Sequence, residues 1–259
     1  MKKYFLLFTF YFLFLLSGCL STEYNVATHT QDIFLYSTEK EVRMGRNISN
    51  MVENEFNISL NPGDIKRITE SGQRIAEVCD RQEISYYFYV IEADSKRENE
   101  FNAFSLPGGY VYIGKDLFDL LNDNELSFVL AHEVAHIVSR HHIKKLQAAI
   151  GYNLLLAASS ATVSGRESSQ GLSLALATIM SAYSRQDEFT ADELAAKYMV
   201  SIGEEPTAGI SVLEKLYKEN KKKIRPLSYF RTHPYTAERI RHIRETLHLP
   251  LSVEDYINF

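Results

Sequence analysis

His132-Glu133-Val134-Ala135-His136 constrains this chain more than any other feature. On a helix, two histidines four residues apart share one face, about one turn apart. Their imidazoles can grip one metal ion, and the intervening glutamate falls near the position left open for water. The flanks support a helix. Asn122-Asp123-Asn124-Glu125 supplies N-cap candidates and first-turn acids. Leu126, Val129, Leu130, Val134 and Ile137 then recur at helical spacing. A charged Glu133 in such surroundings is expensive without a partner or a task.

The N-terminus speaks to compartment. Met1-Lys2-Lys3 precedes an apolar run from Tyr4 to Leu16, which reads as a secretory signal too short to span a bilayer comfortably. It ends in Leu16-Ser17-Gly18-Cys19, similar to a bacterial lipobox. That resemblance implies a signal peptide over residues 1–18 and lipidation of Cys19. Leu20 rather than aspartate after the cysteine implies the outer membrane. Residues 19–38 are polar and poorly periodic, as a lipidated tether would be. With Cys19 acylated, Cys79 is alone, so no intrachain disulfide is expected.

After the signal, roughly 240 residues remain, enough for one substantial core. The formal charge of −5 becomes more acidic once Lys2 and Lys3 are removed, which argues against a nucleic-acid binder. Two helices are expected, from Glu39 to Phe56 and from Pro62 to Cys79. Tyr86 to Ile91 reads as a strand, and Asn102–Ser105 and Tyr110–Ile113 as two more around Pro107-Gly108-Gly109. From Asp116 onward the pattern is helical. Two helical stretches are expected between Leu154 and Ala182, joined around Ser164–Ser169 either as a plain core hairpin or as a mobile cover over a cleft. Few, adjacent strands predict an α+β fold, mostly helical, with one small and mainly antiparallel sheet.

A catalytic zinc needs a third protein ligand. His142 lies six residues after His136, but position 139 is serine where a helix-breaking glycine would be needed. If the helix continues through Arg140, His142 points away from the ligand face. Glu188 and Asp192 are better placed. They are spaced i, i+4 at an acidic helix start, so one can bind metal while the other receives the N–H of a ligating histidine.

His132–His136 followed by Ser184-Arg185, Glu188 and Ala191-Asp192 resembles the M48 family of zinc metallopeptidases. Asn102-Ala103-Phe104-Ser105-Leu106-Pro107-Gly108-Gly109, Arg140-His141, Thr232-His233-Pro234 and Arg239 extend the likeness over Glu39 to Leu247. The chain is most similar to single-domain periplasmic lipoprotein members, with the peptidase domain over 39–259. The resemblance implies a gluzincin-like fold with the active-site helix beside the sheet. It also implies one Zn2+ held by His132, His136 and Glu188, with Glu133 as general base and Asp192 behind the ligands.

On this view the protein is a zinc endopeptidase acting on polypeptides, anchored to the membrane through Cys19. His233 is a candidate for a catalytic role as oxyanion donor, or for a latch that coordinates zinc at rest. A substrate strand is expected to pair with a sheet edge, either at Asn102, Ala103, Phe104 and Ser105 or at Tyr110–Ile113. The competing class is a zinc-stabilised chaperone or assembly adaptor at the outer membrane. Glu133 argues against it, because a structural zinc needs no base.

Overall fold

The computed structural model describes residues 21–25, 30–92, 102–160, 168–222 and 227–251. Cys19 and the signal segment lie outside them, as does the 164–167 part of the expected junction. Two strands, β1 (Ser21–Asn25) and β2 (Thr30–Phe34), form an antiparallel ribbon within the expected tether. Phe34 is buried, so the C-terminal part of that stretch belongs to the body of the fold.

Helix α1 (Thr38–Glu55) is N-capped by Ser37, and α2 (Pro62–Val78) by Asn61, with proline in its first turn. Then come β3 (Tyr87–Ile91), β4 (Ala103–Leu106) and β5 (Tyr110–Gly114). Spatial order is β3-β5-β4. β4 and β5 pair antiparallel, but β3 and β5 pair parallel, so the sheet is mixed rather than mainly antiparallel. The reason is the long connection from Ile91 to Ala103. It is no hairpin loop, so β4 can cross to the far edge and β5 enters between its predecessors. Gly109, at φ +102, makes the sharp return from β4 to β5, and a Cβ there would meet Ser85 O at 1.9 Å.

The sheet divides the core in two. Val90, Ala103, Val111 and Ile113 join a cluster with α2 and the later helices, while Ile91, Phe104, Leu106 and Tyr112 join one with α1. Every residue of β5 is buried, as suits a central strand covered on both faces. The remaining helices are α3 (Lys115–Leu120), α4 (Asp123–Val138), α5 (His141–Ser160), α6 (Ser168–Ile179), α7 (Arg185–Ser201), α8 (Ala208–Lys221), α9 (Tyr229–Thr232) and α10 (Thr236–Thr246). α5 and α6 pack together, and Ile179 of α6 joins the α1-side cluster, with Leu176 packed against it. Among the described residues no helix is long and apolar enough to cross a membrane.

Candidate active site

α4 carries the two histidines through the centre of the molecule. Asn122 and Glu125 close its N-terminus reciprocally: Glu125 N–H donates to Asn122 Oδ1 and Asn122 N–H to Glu125 Oε2, both at 2.9 Å. From Glu125 to Val138 every residue is buried. The helix ends at Ser139, and Arg140 takes the left-handed conformation at φ +54. It therefore does not continue through Arg140. The chain turns without a glycine, and α5 starts anew at His141.

α7 lies against α4. Ser184 caps it, with Asp187 returning the bond, which puts Glu188 and Asp192 on its buried face. His132, His136, Glu188 and His233 each present one ligand atom, all within 4.8 Å of one another. His132 Nε2 is 3.1 Å from His136 Nε2 and 3.6 Å from Glu188 Oε2. His233 Nδ1 is 3.1 Å from Glu188 Oε1. None of these four residues, nor Glu133, is more than 1 % exposed, so a peptide can reach them only if the site opens.

The surroundings orient the rings. Asp192 Oδ1 lies 3.0 Å from His132 Nδ1 and is itself held by Arg239 Nη2 at 2.7 Å. His136 Nδ1 meets His141 Nδ1 at 2.8 Å, and His141 Nε2 lies 3.3 Å from Asp187. Tyr183 stacks on His136 at 3.8 Å, and Tyr229 on His233 at 4.7 Å. His142 is not in the cluster; its Nε2 faces Tyr183 Oη and Ser105 Oγ.

Charge states follow from this packing. Burial alone would depress His132, as would Arg239, but Asp192 and Glu188 outweigh both and raise it to about 9. Burial dominates at His136, which is held well below the ordinary histidine value. The opposite directions are consistent, because two ring nitrogens 3.1 Å apart share one proton at most. Glu188 is desolvated, yet Arg239 and the histidines keep its carboxyl well below the usual range.

Within the site, the buried atoms Glu133 Oε1, Glu188 Oε2 and His233 Nε2 have no hydrogen bond. Arg239 Nη1 is 2.8 Å from Glu188 Oε2, an ion pair without hydrogen-bond geometry. Orphaned buried polar atoms in one place are costly and mark a group still to be accommodated. Two imidazoles and a carboxylate suit zinc, and a dication can replace the proton that His132 otherwise holds.

Of the substrate-edge candidates, β4 is the edge strand and β5 is paired on both sides, which removes Tyr110–Ile113 as an edge. Asn102 O accepts from Gly114 N–H, and the side chains of Ala103, Phe104 and Ser105 are buried. Ser105 Oγ donates to Glu133 Oε2 at 2.8 Å. Sequence reasoning missed Tyr183 and the ring pair of His136 and His141. The ring pair depends on the sharp turn at Arg140, for which no glycine gave a signal, and Tyr183 arrives from the segment before α7, where its N–H donates to Thr232 O.

The model of the peptidase family M48 matches residues 62–247. The metalloprotease LoiP of Escherichia coli is 30 % identical over 185 residues, 70 % of each chain. The mitochondrial metalloendopeptidase OMA1 of Schizosaccharomyces pombe is 31 % identical over 178 residues, 68 % of this chain and 50 % of its own. The β-barrel assembly-enhancing protease of Escherichia coli is 26 % identical over 220 residues, 80 % of this chain and 44 % of its own. The chain thus spans half or less of the latter two relatives.

Proposed function

Because this chain belongs to the peptidase family M48 and is a zinc metalloprotease, we propose that it cleaves internal bonds of unfolded or misassembled polypeptides at the periplasmic face of a bacterial outer membrane, with Glu133 as the base. His132, His136 and Glu188 would hold the zinc. A zinc held there would supply the Lewis acidity that lowers the pKa of a water and polarises the scissile carbonyl. Glu133 takes the proton of the attacking water at Oε1 and delivers it to the leaving amine. Asp192, gripped by Arg239, fixes the tautomer of His132. The observation that carries this reading is Glu133 Oε1, which lies beside the ligand cluster with no hydrogen bond and only His233 Nε2 facing it at 3.3 Å. An unfolded segment would add to the β4 edge, where main-chain pairing reads backbone more than side chain.

The competing reading has one observation in its favour. Four ligand atoms and full burial resemble a closed, structural zinc site. We read His233 instead as a resting-state latch. Its Nδ1 lies among the ligand atoms and its Nε2 is 3.3 Å from Glu133 Oε1, where it would exclude water from the base. Displaced by substrate, the same ring could donate to the oxyanion. Casein cleavage decides between the classes. The purified protein should cut casein, stop on chelation, and lose about 10²–10⁴-fold in kcat as Glu133→Gln while keeping its metal. Undiminished cleavage by Glu133→Gln would remove Glu133 from the chemistry, and no cleavage by any form, His233→Ala included, would favour the adaptor.

The sequence around Cys19 supports a lipid anchor. The likeness to a β-barrel assembly-enhancing protease supports partners in β-barrel assembly. Cys19→Ser should move the protein out of the membrane fraction, and continued sedimentation with membranes would reject the anchor.

A further inference from the structure

Glu133 is gripped from the sheet as well as carried by its helix. Alternation along β4 puts Ala103 and Ser105 on the face toward α4, and Phe104 and Leu106 on the other. Ser105 Oγ donates to Glu133 Oε2 at 2.8 Å, while Oε1 has no hydrogen bond. A carboxylate only accepts, so the hydroxyl proton is committed to Oε2. The same Oγ lies 3.2 Å from His142 Nε2, and Tyr183 Oη lies 2.9 Å from that nitrogen. His142 Nε2 has one bonding site. Protonated, it donates to Ser105 Oγ; unprotonated, it accepts from Tyr183. In either tautomer Ser105 keeps its proton on Glu133. Ser105 and His142 are 1 % exposed and Tyr183 5 %, so water does not compete.

We propose that Ser105 is a positioning residue for the catalytic base, backed by His142 and Tyr183. It fixes the rotation of the Glu133 carboxylate, so that Oε2 is occupied and Oε1 is turned toward His233 and the ligand cluster. The hydroxyl of β4 is therefore used on the enzyme, and only the strand's backbone is left to meet a substrate. The inference rests on reading Glu133 as the base.

The experiment uses the metal-loaded enzyme and a peptide substrate. Ser105→Ala should lower kcat by about 10–100-fold, since a hydrogen bond to a charged group is lost. KM and metal content should stay unchanged, and Ser105→Thr, which restores a hydroxyl, should recover most of the rate. A second readout needs no activity. In metal-free protein, Ser105→Ala should lower Tm by roughly 3 °C or more, and by much less when Glu133 is already alanine. Equal kcat losses in the Ala and Thr variants, or Tm effects that simply add, would overturn the proposal. Wild-type kcat in Ser105→Ala with a dead Glu133→Gln overturns it alone. An active Glu133→Gln overturns the base assignment and this inference with it.

Discussion

Two clusters of buried charge sit along α4, and they are built on opposite principles. At the C-terminal end, Glu41 of α1 is enclosed by two arginines: Arg81 Nη1 at 2.8 Å and Arg140 Nε at 2.9 Å. Further donors reach backbone, Arg81 to Ile137 O and Arg140 to Tyr36 O, and Arg81 Nε also donates to Glu83 Oε1 at 2.6 Å. Both Glu41 oxygens are bonded, and the cluster ties α1 to the end of α4 and holds Arg140 in its left-handed turn. Around the middle of the same helix, Glu133, with Glu188 of α7 and His233 after α9, each keep an atom without a hydrogen bond. Burial of charge is common to both. A buried group with all its bonds made serves architecture, whereas one left short is held ready for something not yet bound.

Removing members of each cluster sharpens the contrast. The largest effect is expected at Glu188. Glu188→Gln should fold and arrive depleted of metal, with affinity falling by more than the about 10–100-fold typical of outer partners. His142→Ala should keep its metal in the same elemental assay. A metal-replete Glu188 variant would sink the ligand assignment.

Next is Glu41. Glu41→Gln removes the buried carboxylate that Arg81 and Arg140 share and should destabilise the fold by about 3–5 kcal/mol in denaturant titration. Metal bound per folded chain should not change. Normal stability with impaired metal binding would erase the distinction between the clusters.

Asp192→Asn should act more gently, weakening metal affinity by about 10–100-fold in chelator competition, because only the orientation of His132 is lost.

The smallest effect is in the pH dependence. In metal-free protein His132 keeps its proton up to about 9, while an unfolded histidine releases it near 6.5. The folded state then binds more protons at this ring, so the contribution of His132 is full below pH 6.5 and should fall by up to about 2 kcal/mol between pH 6.5 and 8, while the depressed His136, His141 and His142 act the opposite way and cost stability as pH drops through 6.5. Above that, Lys145, which burial lowers to about 8, pulls the other way. Zinc displaces the His132 proton, so the loaded protein should show no such decline. An equal slope in both forms would place the proton elsewhere.

Local chemistry wrote the parts that the sequence determined. Helical spacing placed His132 and His136 together, the Asn122 and Ser184 caps started their helices, and Glu188 and Asp192 share a face because i and i+4 must. Other features needed the folded chain. The parallel pairing of β3 with β5 follows from a crossover that no turn residue announces. The break at Arg140 is held by a glutamate 99 positions earlier, and Ser105 finds Glu133 only because β4 takes the edge beside α4. Backbone propensity and spacing act over a few residues, so they can be read along the chain. Which distant groups share a buried charge is decided only when water is excluded, because only then does leaving one unpaired cost enough to fix its partner.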